Sequence, residues 1–240
     1  MRIKSHGSWR LSHAGIKFPG NLGFENCFTV GDTRMNLEIS QSPPRAGRMT
    51  GAQFRAFQDQ RPDHERWELI AGVPIMMAPP TIVHNRIASN LERLLNDALA
   101  MHEPARVAAQ RSGVLLAAAG DYRPEPDVGV IDADFHAGQR FVDRVYLLAE
   151  VVSDADELWD PDSGRSWIDV KREIYFAHPA CEAVLTIEQD RMDVRVDIRT
   201  KDGWNSRRLG PGDELLLSAF GLRCAVADLY QGTPLNPRRT

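Results

Sequence analysis

The chain has 240 residues, 42% hydrophobic and 26% charged, with a formal net charge of −4. That composition suits a globular domain with one sizeable core and a tail, and no run approaches 18 consecutive apolar residues, so no membrane span is expected. The charge is uneven. Residues 1–48 carry seven Lys/Arg against three Asp/Glu, a surplus of +4 that leaves −8 for the remainder, which argues against a broadly basic nucleic-acid-binding body and leaves that role to local basic patches or bound metal. The N-terminus is polar, broken by Gly and Pro, and lacks the apolar core of a secretory signal. Cys27, Cys181 and Cys224 are far apart and form no CxxC, a pattern that fits a reducing cytoplasm, with Cys181 and Cys224 as small core residues.

Residues 1–48 show no sustained period and end in Ser42-Pro43-Pro44 and Gly47, so they are expected to form a poorly ordered extension. Met35 is a candidate alternative start of translation. Thr50-Gly51-Ala52-Gln53 is a capping box that opens a short helix to about Gln58. Arg66 to Met77 reads as a hairpin turning at Ala71-Gly72, and Glu68 points away from Trp67 and Leu69 by alternation. Pro79-Pro80 breaks the chain, and Thr81 caps the strongest helix, about Ile82 to Met101, with Ile87, Leu91, Leu94, Leu95, Ala98 and Leu99 as its apolar stripe. His84, in its first turn, reads as a surface or capping-region histidine.

Arg106 to Ala118 reads as a strand, Gly120-Asp121 as a turn, and Pro126 to Ile131 as a strand with Asp127 at its mouth. Asp132 to Arg144 reads as a polar loop. Val145 to Ser153 is a continuous apolar run, the pattern of a central strand buried on both faces, and Glu150 is an acid inside it. A buried carboxylate must be neutralised, paired or metal-bound. The acidic stretch Asp154 to Asp162 reads as a solvated loop, because its resemblance to a calcium loop fails on the position of Gly164 and on Lys171. Ser166 starts a helix to about Ala177, with Trp167, Lys171, Ile174, Tyr175 and His178 along one face. Lys171 is placed at the edge of the buried stripe, able to reach past it. Ala183 to Glu188 and Met192 to Arg199 are strands, Lys201-Asp202-Gly203 is a hairpin turn, Leu215–Leu217 and Ala225–Ala227 close the fold, and 233–240 form a flexible tail. The order is mixed α/β, a sheet flanked by helices.

Two carboxylates and a lysine converging on one sheet edge make a candidate metal-dependent hydrolytic site. The αβββαβ order with Pro126-Asp127 and Glu150-Val151-Val152 resembles the PD-(D/E)XK nuclease core. Trp67-Glu68-Leu69-Ile70-Ala71-Gly72, Met77-Ala78-Pro79-Pro80, His84-Asn85, Ala149-Glu150-Val151-Val152-Ser153 and Asp169-Val170-Lys171 with Tyr175 resemble the Uma family of restriction-endonuclease-like proteins over about residues 49–232. The resemblance implies a restriction-endonuclease-like domain with an N-terminal hairpin and a C-terminal β meander. It implies Asp127, Glu150 and Glu68 as ligands of Mg²⁺ or Mn²⁺, catalysis by these acids and Lys171, DNA as substrate, and a homodimer that cuts both strands. The lysine expected two residues after the glutamate is replaced by Val152, and Lys171 stands in its place on the following helix. Two function classes remain: a metal-dependent DNA endonuclease, and a non-catalytic binding or regulatory module on the same fold. Intact Asp127, Glu150 and Lys171 favour the first; Val152 and the acidic body favour the second. No GxSxG and no base-paired Cys supports a serine or cysteine hydrolase.

Overall fold

The computed structural model describes residues 48–62, 64–116, 122–160 and 163–237. The expected N-terminal extension up to Gly47, the Met35 start, Cys27, the Gly120-Asp121 turn and the last three residues of the tail lie outside the described residues.

Helix α1 (Gly51–Gln58) starts at the Thr50 capping box, in which the Thr50 side chain accepts from Gln53 N and the Gln53 side chain accepts from Thr50 N. Strands β1 (Arg66–Ile70) and β2 (Val73–Met77) form the expected hairpin. Ala71 (φ 50°) and Gly72 (φ 77°) take the two left-handed turn positions, as a two-residue hairpin loop requires. Helix α2 (Ile82–His102) is capped by Thr81, whose side chain accepts from His84 N. Then come β3 (Arg106–Ala109), β4 (Gly113–Val114), β5 (Val128–Asp132), β6 (Phe141–Val142) and β7 (Val145–Val152), followed by the single-turn helix α3 (Asp154–Glu157). Short strands β8 (Trp159–Asp160) and β9 (Arg165–Ser166) lead into α4 (Trp167–Ala177). Strands β10 (Ala183–Glu188), β11 (Val194–Thr200), β12 (Gly203–Leu209), β13 (Glu214–Leu217) and β14 (Leu222–Ala225), then helix α5 (Val226–Leu229), complete the order.

The central sheet has six strands in the order β12-β11-β10-β7-β5-β3. Only β7 and β10, joined through α4, run parallel; the other neighbours are antiparallel. The fold is the expected mixed α/β, and α2-β3-β5-β7-α4-β10 is its αβββαβ core. Two apolar layers sandwich the sheet. Leu91, Leu95 and Leu99 of α2 pack with Leu147, Ala149 and Val151 of β7 on one side. Leu148 of β7 packs with Val170, Ile174 and Tyr175 of α4, and with Ile70 of the hairpin, on the other. Period-2 alternation then fixes the face of Glu150: two residues beyond Leu148, it points toward α4. Cys181 and Cys224 are free and buried, with burial pushing their thiols up to about 12 and about 11. They are inert core residues, as expected.

Several expectations are corrected. The strand from Arg106 is broken after Ala109, where Arg111 adopts a left-handed φ of 58°. It resumes only at Gly113-Val114, where a Cβ on Gly113 would lie 2.4 Å from Phe141, so the polar loop after Asp132 contains β6 as the partner of β4. The acidic stretch after Ser153 is not a solvated loop: it contains α3 and β8, and Asp156 and Asp160 are buried. Ala225 ends a strand and Val226 opens a helix. Beyond Gly232 the chain is still held, because Thr233 Oγ1 donates to Tyr230 O and Asn236 Nδ2 donates to Ala227 O.

Helix α4 is anchored to the sheet by a buried charge pair. Arg172 Nε and Nη2 donate to Asp197 Oδ2 of β11 at 3.1 and 3.0 Å, and Asp197 is fully buried. Removing one partner strands the other charge in a low-dielectric interior, at a cost of about 3–5 kcal/mol. Asp197→Ala is therefore expected to lower the free energy of unfolding by that amount in urea titration, whereas a loss of under ~1 kcal/mol would show that the pair is a surface-like contact.

Candidate active site

Three elements deliver carboxylates to one cation. Glu68 lies in β1 on the face away from Trp67, and its Oε1 accepts from Glu125 N at 2.7 Å. Glu150 comes from β7, where its Oε1 accepts from the Tyr175 hydroxyl. Asp156 comes from α3, its Oδ2 accepting from Ser153 N at 3.0 Å and Ser153 Oγ at 2.6 Å. Lys171 Nζ, reaching in from α4, donates to Asp156 Oδ1 at 3.1 Å and Glu150 Oε2 at 3.4 Å. It also lies 2.9 Å from Glu68 Oε2, an ion-pair distance without hydrogen-bond alignment. Asp127 lies at the mouth of β5 beside this cluster. Its Oδ2 accepts from Val151 N at 2.8 Å, and its Oδ1 lies 2.9 Å from His84 Nε2.

The structure thus joins Glu68, Glu150 and Lys171 directly and holds Asp127 against the next residue of the Glu150 strand. Lys171 does not reach past the stripe; it is 1% exposed and ends inside. Glu68 is buried rather than solvent-facing, and His84 is a buried partner of Asp127 rather than a surface residue. Asp156 was absent from the sequence-derived set. Its readable signal is the Ser153-x-x-Asp156 spacing, a helix-capping pattern directly after the Glu150 strand.

The electrostatics follow from burial. Desolvation alone would push Lys171 down, but Asp156, Glu150 and Glu68 outweigh it and hold the ammonium well above its usual value. Burial raises Glu150 well above its usual value; Lys171 opposes this, while Asp127, Glu68 and Asp156 add to it. Glu68 is raised for the same leading reason, with Lys171 opposing. At Asp156 burial is outweighed by Lys171 and the Ser153 hydroxyl and amide, so its carboxyl is lowered. Burial, then Glu150, keeps the Tyr175 phenol protonated as a donor.

A cavity of about 220 Å³ opens onto Glu68, Asp127, Glu150 and Asp156, walled by Met77 to Pro80, with Arg66 and Arg111 on its lining. Among the described residues no group of three or more His, Cys, Asp or Glu side chains is arranged as a ready-made metal cage. The donor chemistry nevertheless suits one kind of ion. The acids are oxygen donors; three of them share one ammonium, and with Asp127 they destabilise the charge of Glu150. Mg²⁺ and similar hard cations take one or two protein carboxylates, keep several waters and complete their shell on substrate phosphates. Asp127, Glu150 and Glu68 fit that demand, and the lack of soft ligands disfavours a thiophilic metal.

The family Uma2, described as "Putative restriction endonuclease", matches residues 52–227, and the chain belongs to it. A solved structure described as a putative nuclease belonging to DUF820, from Anabaena variabilis, has the same fold. Its TM-score is 0.56 at 18% identity, over 76% of this chain and 97% of that one. No curated protein matches.

A group whose folded value is raised stabilises most at low pH, and that contribution is lost as pH rises from its usual value, 4.5 for Glu150, through the raised one. In chelating buffer, Glu150→Gln is therefore expected to melt higher than wild type at pH of about 8, with the gap closing toward pH of about 4. A gap that is constant with pH would show that Glu150 ionises as an ordinary surface acid.

Proposed function

We propose that this Uma2-family member is a metal-dependent nuclease that hydrolyses phosphodiester bonds of DNA. The observation that carries the reading is Lys171 Nζ, buried among Glu68, Glu150 and Asp156 beside the cavity that also exposes Asp127. Asp127 and Glu150, with Glu68 as a third donor, would hold a Mg²⁺ or Mn²⁺ ion. Bound there, the ion would polarise the scissile phosphate and acidify a coordinated water.

The chain's own residues prepare the rest. The Val151 amide and His84 hold the Asp127 carboxylate in a fixed orientation. The Tyr175 hydroxyl does the same for Glu150. Lys171 is charged over the whole working pH range, so its ammonium can orient a water and stabilise charge developing on the phosphate. Its role matches that of a lysine two residues after the glutamate, because Val152 is on the same strand face as Glu150 and α4 covers that face. A homodimer would present two such sites to the nucleic acid. The match to a restriction-endonuclease family and the nuclease neighbour support the reaction class.

Val152 in place of the strand lysine, with Lys171 held by three acids, supports one competing reading, a binding module on an inherited nuclease fold. The two separate in one experiment. Plasmid and short oligonucleotides are incubated with Mg²⁺, Mn²⁺ or chelator, and melting temperature is followed with and without metal. The nuclease reading expects metal-dependent cutting that is abolished in Asp127→Asn and Glu150→Gln. Lys171→Ala is expected to cut at least ~100-fold more slowly while retaining the metal-induced melting shift. No cutting and no melting shift in wild type would favour the binding module. Undiminished cutting by Lys171→Ala would remove the lysine from the mechanism.

A further inference from the structure

The arginines divide into two sets. Most are spent: Arg66 on Glu125, Arg93 on Asp97, Arg106 on Glu182, Arg172 on Asp197, Arg208 on Asp193 and Arg223 on Glu214. Arg55, Arg61, Arg111 and Arg140 are not. Among the described residues, none of these four guanidinium groups makes an ion pair or hydrogen bond; Arg61 only stacks over Phe57 and Trp67, 4.3 and 5.6 Å from the ring centres. All four line one groove of about 880 Å³, although they come from α1, the loop before β1, the turn after β3 and the loop before β6. Even with Asp59, Glu65 and Glu125 on the same lining, four guanidinium groups outside any ion pair leave a surplus of positive charge that favours an anion in the groove.

The groove runs into the candidate active site. Arg111 and Glu125 line both the groove and the catalytic cavity. Arg111 stands at the junction, and its backbone takes a left-handed conformation that a non-glycine residue adopts at a cost. Burial and Arg66 lower its basicity, while Asp127 and Glu125 support its charge. Of the acids on the groove lining, Glu125 is bound by Arg66, while Glu65, which accepts from Trp67 Nε1, and Asp59 offset part of the positive charge, and the four arginines outnumber those two. Gln58, Gln110 and Gln139 add amide donors and acceptors, and the half-exposed Phe141 and Trp67 add ring surface.

Guanidinium groups spaced along a groove, with amides and aromatic faces between them, suit a polyanion with stackable rings. We propose that this groove binds a single nucleic-acid strand and leads its backbone over Arg111 into the catalytic cavity. The proposal rests on the nuclease reading for the identity of the cavity. A single strand is favoured over an intact duplex because Glu68 and Glu150 are 2% and 3% exposed at the base of a narrow cavity. A flexible backbone can bend into such a site, and a stiff duplex cannot without deforming.

The test measures binding without catalysis. Fluorescence anisotropy with a labelled oligo-dT and a duplex of equal length is run in chelator across a salt series. Wild type is compared with Arg55→Ala/Arg61→Ala/Arg140→Ala, all exposed positions, and with Arg86→Ala, an exposed, unpaired arginine on α2 that does not line the groove. The proposal expects the single strand to bind more tightly than the duplex. The triple variant should lose at least tenfold in affinity, with a salt slope smaller by about 2, and Arg86→Ala should match wild type. Equal affinity of the triple variant and wild type, an equal loss in Arg86→Ala, tighter duplex binding, or no binding by wild type would each overturn it. Strand binding that needs the groove, without cleavage under any metal, would overturn the nuclease reading and leave the groove standing. Cleavage that ignores the triple variant would do the reverse.

Discussion

The burial of Lys171 is the constraint on which the site depends. An isolated ammonium at 1% exposure would lose its proton or unfold the region. Three acids from three separate elements prevent that, so burial of Lys171 under α4 depends on β1, β7 and α3 together. The same cluster works in reverse, since without Lys171 the acids would face each other unscreened in a low-dielectric interior. The geometry of the candidate site and the packing of α4 on the sheet are therefore one requirement. A carboxylate surplus remains even with Lys171 in place, and that surplus makes the site receptive to a divalent cation.

Moving the lysine from strand to helix changes what holds it. A lysine two residues after Glu150 would be fixed by strand register alone. Lys171 is instead fixed by the docking of α4, which relies on the apolar contacts of Val170, Ile174 and Tyr175 and on the Arg172–Asp197 pair next to it. Position 152 is freed for valine, which completes a strand buried along its whole length. The helix also contributes Tyr175, one turn after Lys171, which donates to the same glutamate that Lys171 approaches. A single helix face thus supplies both the cation and the hydroxyl that orient Glu150, a coupling that the strand position could not provide.

What was legible in the sequence was what local chemistry decides. The Thr50 and Thr81 caps, the Ala71-Gly72 turn and the α2 stripe each rest on contacts within a few residues, and the structure has them where the pattern placed them. Glu150 was legible because an acid in a continuous apolar run demands an explanation. His84 and Asp156 were misread as surface groups because their burial depends on partners far along the chain: Asp127 lies 43 residues from His84, and Lys171 lies 15 residues from Asp156. For Lys171 the pattern gives the edge of the buried stripe, since helical periodicity gives a face but not the depth at which neighbouring elements cover it. The break at Arg111 was missed for a similar reason. A left-handed arginine has no signature in composition.

Charge distribution had the same limit. A total of −8 outside the first 48 residues argued against a nucleic-acid surface, but a sum over a chain does not say which charges are already spent. In the fold many acids are consumed by neighbouring arginines or by the Lys171 cluster, and four of the arginines left over gather in one groove beside the candidate site. For a polyanionic substrate the relevant quantity is the unspent charge within about one Debye length, about 8–10 Å, of its path. Acids beyond that distance are screened by salt and do little to repel it. An acidic protein can therefore carry a basic track, provided that enough of its acids are paired elsewhere and several free cations share one groove.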